Sequence, residues 1–493
     1  MICVWVFALS GCSGFNSKAP DTPYEIVFDT PMEELLSVRL ALHAHDWDGY
    51  GEAVDVRGDV LVVGASEWNY YGAGKAYVYR LSGGEWQEEA HLVAHDGGEQ
   101  SWRFGASVAL GEGIIAVGAP GSEDPQVAVD SGAVYLFEYD GQTWVETAKL
   151  TPDRSEQDAQ TRTGWQTDFR RVRAFGALVS LDGDSLAVAG ATGTELVHIF
   201  QPTEEGWQEQ ARIPVPDMPE RDLHLVSMSL LGDTLALSAF YTPPQSNRST
   251  VVHGSVAVYM FERDGDTWGE TFRFIPEGDS DFVFYRNKIV GASVALGGSP
   301  DQANLFAVGM PGFPDQTRLF EGEPDMRESP KSVHETGAVY LFERAEGGWT
   351  QQATLRPAGW ENPPGPGRDF PASEADLEQA IFNEDSSTIM PAEWVIGDSY
   401  SDNPGISFFG ATVALDENWL AVTAAYANTA YVFERQGQDW VYRYRATPGP
   451  EAWEDFGQVV AISGSTLLLG APGEFGYSAY VFDLCDPSLQ DCK

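Results

Sequence analysis

The chain has 493 residues, and its 74 Asp and Glu outnumber its 29 Lys and Arg to leave a formal net charge of −45. Such a surface excludes a polyanionic partner, because nucleic-acid binding needs a basic footprint. Length alone admits several domains, but an array of repeats can occupy all of it as one.

The first residues, Met1 to Cys12, form an apolar run too short to span a bilayer as a helix, and they read as a signal peptide. No Lys or Arg precedes the run, although a signal peptide normally opens on a basic region. Leu9-Ser10-Gly11-Cys12 resembles the lipobox of bacterial lipoproteins. That resemblance implies lipidation at Cys12, and Ser13 in the following position implies the outer membrane. Residues 13–34 are then expected to be a tether. Export also suits the pair Cys485 and Cys492, expected to form a disulfide that staples the tail at 485–493.

From residue 35 to residue 484 the sequence repeats. In the copy that begins at Phe104-Gly105, an alternating apolar run (Ser107 to Leu110) is followed by a tight turn and a second run, Ile114 to Ala119, which ends in Gly118-Ala119-Pro120. A third run, Gly132 to Phe137, and a fourth opened by Trp144 complete the unit. Short runs rich in Val, Tyr and Phe between Gly and Asp turns predict four antiparallel strands. Seven copies align, starting at Tyr50-Gly51, Phe104-Gly105, Phe175-Gly176, Leu225-Val226, Val290-Gly291, Phe409-Gly410 and Phe456-Gly457. The fourth copy lacks the glycine but keeps its later runs. The fourth-strand Trp recurs at 86, 144, 207, 268, 349 and 440, and only the seventh copy lacks it. Leu35 to Leu42 is patterned like the missing strand, so the N-terminal strand is expected to close the ring. The prediction is an all-β, seven-bladed β-propeller of four-stranded antiparallel blades.

These units resemble the FG-GAP repeats of bacterial surface proteins, which are similar to the integrin α propeller. Members of that kind bind calcium through Asp-rich loops between first and second strands, where clustered carboxylates supply oxygen ligands. Here those positions are tight hairpins such as Asp182-Gly183-Asp184, which reads as a type I′ turn, so that site is not carried over to any residue.

Long insertions fall mainly between second and third strands or between blades, including Pro357 to Phe408, where a short helix over 373–382 is expected. Alternating strand direction places both connection types on one face, leaving the other plain. Weak calcium candidates on the elaborated face are Asp46 with Asp48, Asp279 with Asp281, and Asp398 with Asp402. No cofactor other than calcium is suggested. Aromatic candidates for ligand contact are Trp68, Tyr70, Tyr71, Trp102, Trp165, Trp360 and Trp394, which could equally plug their own loops. His45 and His95 occupy equivalent positions in Ala-His-Asp, which favours a structural role. No zinc spacing, nucleophile elbow or phosphate loop is present, and no catalytic residue is assigned.

The expectation is an exported, surface-anchored monomer that binds a protein or glycan through its loop-rich face and touches the membrane only through its lipid. A propeller enzyme acting on polysaccharide or ester, with carboxylates gathered from several blades, is the alternative from another class. A structural envelope protein is the third.

Overall fold

The computed structural model describes residues 24–28, 35–36, 40–43, 49–66, 74–97, 102–122, 132–152, 174–190, 196–216, 222–242, 251–275, 280–285, 288–289, 292–299, 302–311, 337–357, 409–425, 428–448, 456–473 and 476–484. They form seven sheets, each built around a set of antiparallel strands. Blade 1 runs Tyr50–Arg57, Val60–Ala65, Lys75–Ser82, Glu85–Leu92, and blade 2 runs Ser107–Leu110, Ile114–Ala119, Ala133–Tyr139, Trp144–Leu150, each in spatial order. The first strand of every blade packs against the first strand of the next, and Val459–Ser463 of blade 7 returns to Tyr50–Arg57. First strands are therefore innermost and fourth strands outermost.

Closure uses the N-terminus, as the pattern predicts, though with a shorter strand. Leu40–His43 lies antiparallel beside Gly476–Asp483, with Leu40 opposite Val481, and completes blade 7. The residues before it line two neighbouring edges instead. Leu35 and Leu36 pair in parallel with Arg445 and Ala446 of blade 6, and Tyr24–Phe28 pairs in parallel with Ala353–Pro357 of blade 5. Part of the expected tether is thus a strand, because an outer edge offers unpaired N–H and C=O groups to any β-prone segment within reach. The expected helix over 373–382 lies outside the described residues.

The Phe-Gly pair has a local cause. Arg103 to Ala106 forms a turn closed by the Ala106 N–H donating to the Arg103 carbonyl at 3.0 Å, with Gly105 at φ 93° in its third position. That is the type II arrangement, which needs glycine there. The turn drives Phe104, fully buried, edge-on against Tyr135 and Phe137 of its own blade, with ring centres 5.5 and 6.1 Å away. Phe175 and Phe456 repeat this packing.

The second-strand glycines meet the next blade. A Cβ on Gly64 would stand 2.0 Å from the Gly105 carbonyl, one on Gly118 2.0 Å from that of Gly176, and one on Gly470 2.2 Å from that of Gly51. Where blade 4 opens on Leu225-Val226 without a glycine, blade 3 carries Ala189 at the matching place. On the outer side, acidic residues receive donors from the following blade: Glu89 accepts from Trp144 Nε1 at 2.9 Å, and Glu262 from Arg344 at 2.8 Å and Trp349 Nε1 at 3.3 Å. Trp144 and Trp349 thus tie their fourth strands to the preceding blade.

The expected type I′ hairpin at 182–185 is corrected. Gly183 has φ 54°, but Asp184 is not among the residues with positive φ, so glycine at the first central position gives a type II′ turn. Several carboxylates near these turns bind the first strand or first turn of the next blade: Asp55 accepts from Leu110 N–H at 2.7 Å, Asp182 from Gly232 N–H at 2.9 Å and Asp416 from Gly464 N–H at 2.9 Å. Arg57 of blade 1 also reaches Asp182 of blade 3 at 3.1 Å, past blade 2, across the plain end of the ring.

Burial pushes the Asp55 carboxyl up to about 6, against the opposing pull of its backbone N–H partners and Arg57. Asp55 is half-buried on the first strand of blade 1, against the first strand of blade 2. The folded state then holds a proton that the unfolded chain releases, and stability falls as pH rises from about 4 to about 6.

Two predictions follow from the inner ring. Gly64→Ala, whose methyl has no room, is expected to lower stability by roughly 3 kcal/mol in denaturant unfolding, whereas Gly113→Ala, open to solvent, should lose only about 1 kcal/mol of left-handed strain. Equal losses in both would contradict the seam. Asp55→Asn, which keeps an oxygen for Leu110, should be more stable than wild type at about pH 8 by at most roughly 3 kcal/mol, with the advantage gone by about pH 4. A pH-independent difference would rule out burial of the ionised carboxylate as its source.

Candidate functional site

Each first strand begins at the Phe-Gly turn, and each second strand returns to the same end. Connections from second to third strands, and from each fourth strand to the next blade, therefore open on one face. The long insertions use that face. Blade 4 builds it up further: its third strand, Val251–Asp264, begins with an extension that pairs with Ser280–Tyr285, itself in a hairpin with Lys288–Ile289. Among the described residues, the opposite face carries tight turns.

Between blades 1 and 2, the loop-rich end is organised by Asp96. Its residues Ala94 to Gly97 form a turn, with the Gly97 N–H donating to the Ala94 carbonyl at 3.0 Å. Asp96 Oδ1 accepts from the Tyr135 hydroxyl at 2.9 Å, and Oδ2 accepts from Lys149 Nζ at 2.7 Å. Burial raises the Asp96 carboxyl, but these two donors outweigh it and hold the group below the usual carboxylate range. Burial raises the Tyr135 phenol, and the adjacent Asp96 charge raises it further. Lys149 Nζ stands 5.2 Å from the ring centres of both Trp102 and Tyr135. Trp102 is half-buried against the core shared by blades 1 and 2. One face of its indole is thus occupied from within by a cation.

Beside it lies a buried ion pair. Arg103 donates to Glu52 Oε1, the Ser66 hydroxyl donates to the other Glu52 oxygen, and both charged side chains are 9% exposed. Arg103 has φ 54°, unusual for a residue with a bulky side chain, and this pair helps hold it there. His95 bonds Glu146 through both its backbone N–H and its ring.

A basic residue recurs opposite the third-strand aromatic or His: His91 faces Tyr77, Lys149 faces Tyr135, Arg212 faces His198, Arg273 faces Tyr259 and Arg445 faces Tyr431. Arg212 is paired with Glu209, and Arg273 with Glu270. Lys149, Arg212 and Arg273 are thus tied to carboxylates, and among the described residues they do not form a free basic patch.

Of the sequence-derived candidates, Trp102 is the one whose surroundings are described. Trp68, Tyr70, Tyr71, Trp165, Trp360 and Trp394 lie outside the described residues, as do Asp46, Asp48, Asp279, Asp398, Asp402, Cys12, Cys485 and Cys492. Asp281 is described as backbone only, in register with His253. Among the described residues no group of three or more His, Cys, Asp or Glu is placed to hold a metal ion. Sequence reasoning missed Asp96, Lys149 and the Glu52–Arg103 pair. The repeated Ala-His-Asp at 44–46 and 94–96, and the scarcity of lysine, were the signals available.

Residues 86–137 match the FG-GAP repeat family. No curated protein matches the chain. Solved structures with similar folds include a chain of the mitotic checkpoint complex, 13% identical with a TM-score of 0.47, covering 94% of this chain and 99% of that one. Others are Saccharomyces cerevisiae Sqt1, 8% identical with a TM-score of 0.39 over 92% and 85% of the two chains, and the periplasmic gluconolactonase PpgL of Pseudomonas aeruginosa, 14% identical with a TM-score of 0.39 over 80% and 85%. Likenesses this distant bear on neither activity nor partner. The family match in one unit, the seven-fold recurrence of that unit and the closed ring of blades identify the chain as an FG-GAP repeat β-propeller.

Proposed function

We propose that this propeller is an exported binding module that engages a protein or glycan through its loop-rich face and is anchored to the outer membrane by a lipid on Cys12. The observation that carries the reading is the inequality of the two faces. One end is closed by tight turns and crossed by the Arg57–Asp182 pair, while the other receives the long insertions and the extended blade 4 hairpin. Trp102 supports it as a partly exposed indole on that face, held by Lys149. A ring already fixed in place loses little freedom on binding, so it makes an efficient contact for a sugar face or a protein hot spot. The acidic surface suits a partner that is not a polyanion, and the chain acts as a monomer.

Two experiments test this reading. Full-length protein is screened on a glycan array and by pull-down of surface proteins, and any ligand found is titrated against Trp68→Ala and Trp102→Ala. A loss of roughly tenfold or more in affinity is expected for a stacked aromatic. A ligand that binds both variants as well as wild type would remove these residues from the interface. Separately, cells fed radioactive palmitate should label wild type and not Cys12→Ala; equal labelling would refute the anchor.

A further inference from the structure

The polarity of the N-terminal strand bears on how the propeller is displayed. Fourth strands run from the plain face toward the loop-rich face, because each begins at a tight plain-face turn. In blade 5 that strand is Gly348–Pro357, which starts after the turn at 345–348. Tyr24–Phe28 lies parallel to it, with Tyr24 opposite Ala353 and Phe28 opposite Pro357. The chain therefore enters blade 5 from the plain side and climbs toward the loop-rich side. It then passes to the outer edge of blade 6 and ends inside blade 7. Followed back toward its N-terminal end, the strand at Tyr24 points toward the plain end.

We infer that the plain face of the propeller is turned toward the membrane and that the loop-rich face is held outward, where a partner in another structure or on another cell can reach it. This rests on the lipid anchor at Cys12 proposed above. The eleven residues between Cys12 and Tyr24 extend to at most roughly 40 Å, enough to carry the lipid beyond the plain turns. Those turns also decide how closely the face approaches. Glu112, Asp140, Asp184 and Asp266 are exposed there, beside Asp59 and Asp233, which pair with Arg80 and Arg263 and leave the turns with an excess of acid. Against an anionic bilayer they are repelled over about one Debye length, roughly 8 Å at physiological salt, so the plain face stands off the lipid and does not dock on it. The tether sets the orientation, and the charge sets the gap.

The experiment uses the full-length lipidated protein reconstituted in vesicles of phosphatidylethanolamine and phosphatidylglycerol that carry a headgroup fluorophore. In a Cys485→Ser, Cys492→Ser background, a donor dye is placed at Asp266→Cys on the plain face or at Thr151→Cys on the loop-rich face, both exposed positions. The faces lie roughly 30 Å apart along a fourth strand such as that of blade 5, so energy transfer from position 266 should exceed that from 151 by roughly twofold or more. Ile26→Pro, which removes a backbone N–H from the outer strand, should shrink that contrast while leaving the protein vesicle-bound. Equal or greater transfer from 151 in vesicle-bound protein would overturn the orientation and leave the anchor standing. An unchanged contrast in the proline variant would overturn the strand as its cause. Failure of the wild type to bind vesicles any better than Cys12→Ala would overturn the anchor and the orientation together.

Discussion

Backbone against backbone, without an intervening Cβ, is the contact on which this ring depends. Gly64 meets the carbonyl of Gly105, Gly118 that of Gly176, and Gly470 that of Gly51, each at a spacing no side chain allows. The last of these joins blade 7 to blade 1, so the same contact that spaces neighbouring blades also closes the circle. The Phe-Gly turn supplies one half of the seam and the Gly at the end of the second strand the other. Exceptions keep the logic. Ser238 takes the second-strand glycine position in blade 4, and its hydroxyl donates to the Ala292 carbonyl at 2.6 Å. In blade 6 that position is Thr423, whose Cβ lies 3.4 Å from a Cβ built on Gly457, a wider seam.

Around that inner contact the molecule uses polar groups to set register between blades. Carboxylates and hydroxyls on the inner strands, such as Asp55, Ser180 and Ser293, accept backbone N–H groups of the next blade. On the outer side, Glu89, Glu262 and Glu343 take donors from the following Trp or Arg. Among the described residues, many of the cations of this protein of net charge −45 are committed to blade-to-blade and strand-to-strand bonds. The exposed acid that remains keeps the molecule soluble and favours separation from other anionic surfaces.

The same regularity makes one face plain and leaves variation to the other. A tight turn is compatible with the close approach of inner strands at the plain end, where Arg57 and Asp182 bridge blades 1 and 3. At the loop-rich end the connections diverge, and Asp96, Lys149 and Trp102 tie one of them down. The N-terminal chain runs parallel to the outer strands of blades 5 and 6, beside their loop-rich halves.

The fold was legible because repetition writes the same steric demand seven times: Phe to fill a blade, Gly to turn and to touch, Trp to brace. Periodicity of two and the spacing of the copies therefore determined the four-stranded blade, the blade count and the closure of the ring by the N-terminal strand. The candidate site was legible only as a face. Trp102 could be named from the sequence, but its cation came from Lys149, 47 positions away, and its support from Asp96 in a loop that looked merely polar. Likewise nothing local distinguishes the strand at Tyr24–Phe28 from a tether, or pairs Arg57 with Asp182. Local pattern is decided by residues within a few positions of each other, and the sequence carries it in full. Partners brought together from different blades are decided by closure of the ring, and only the tertiary structure could supply them.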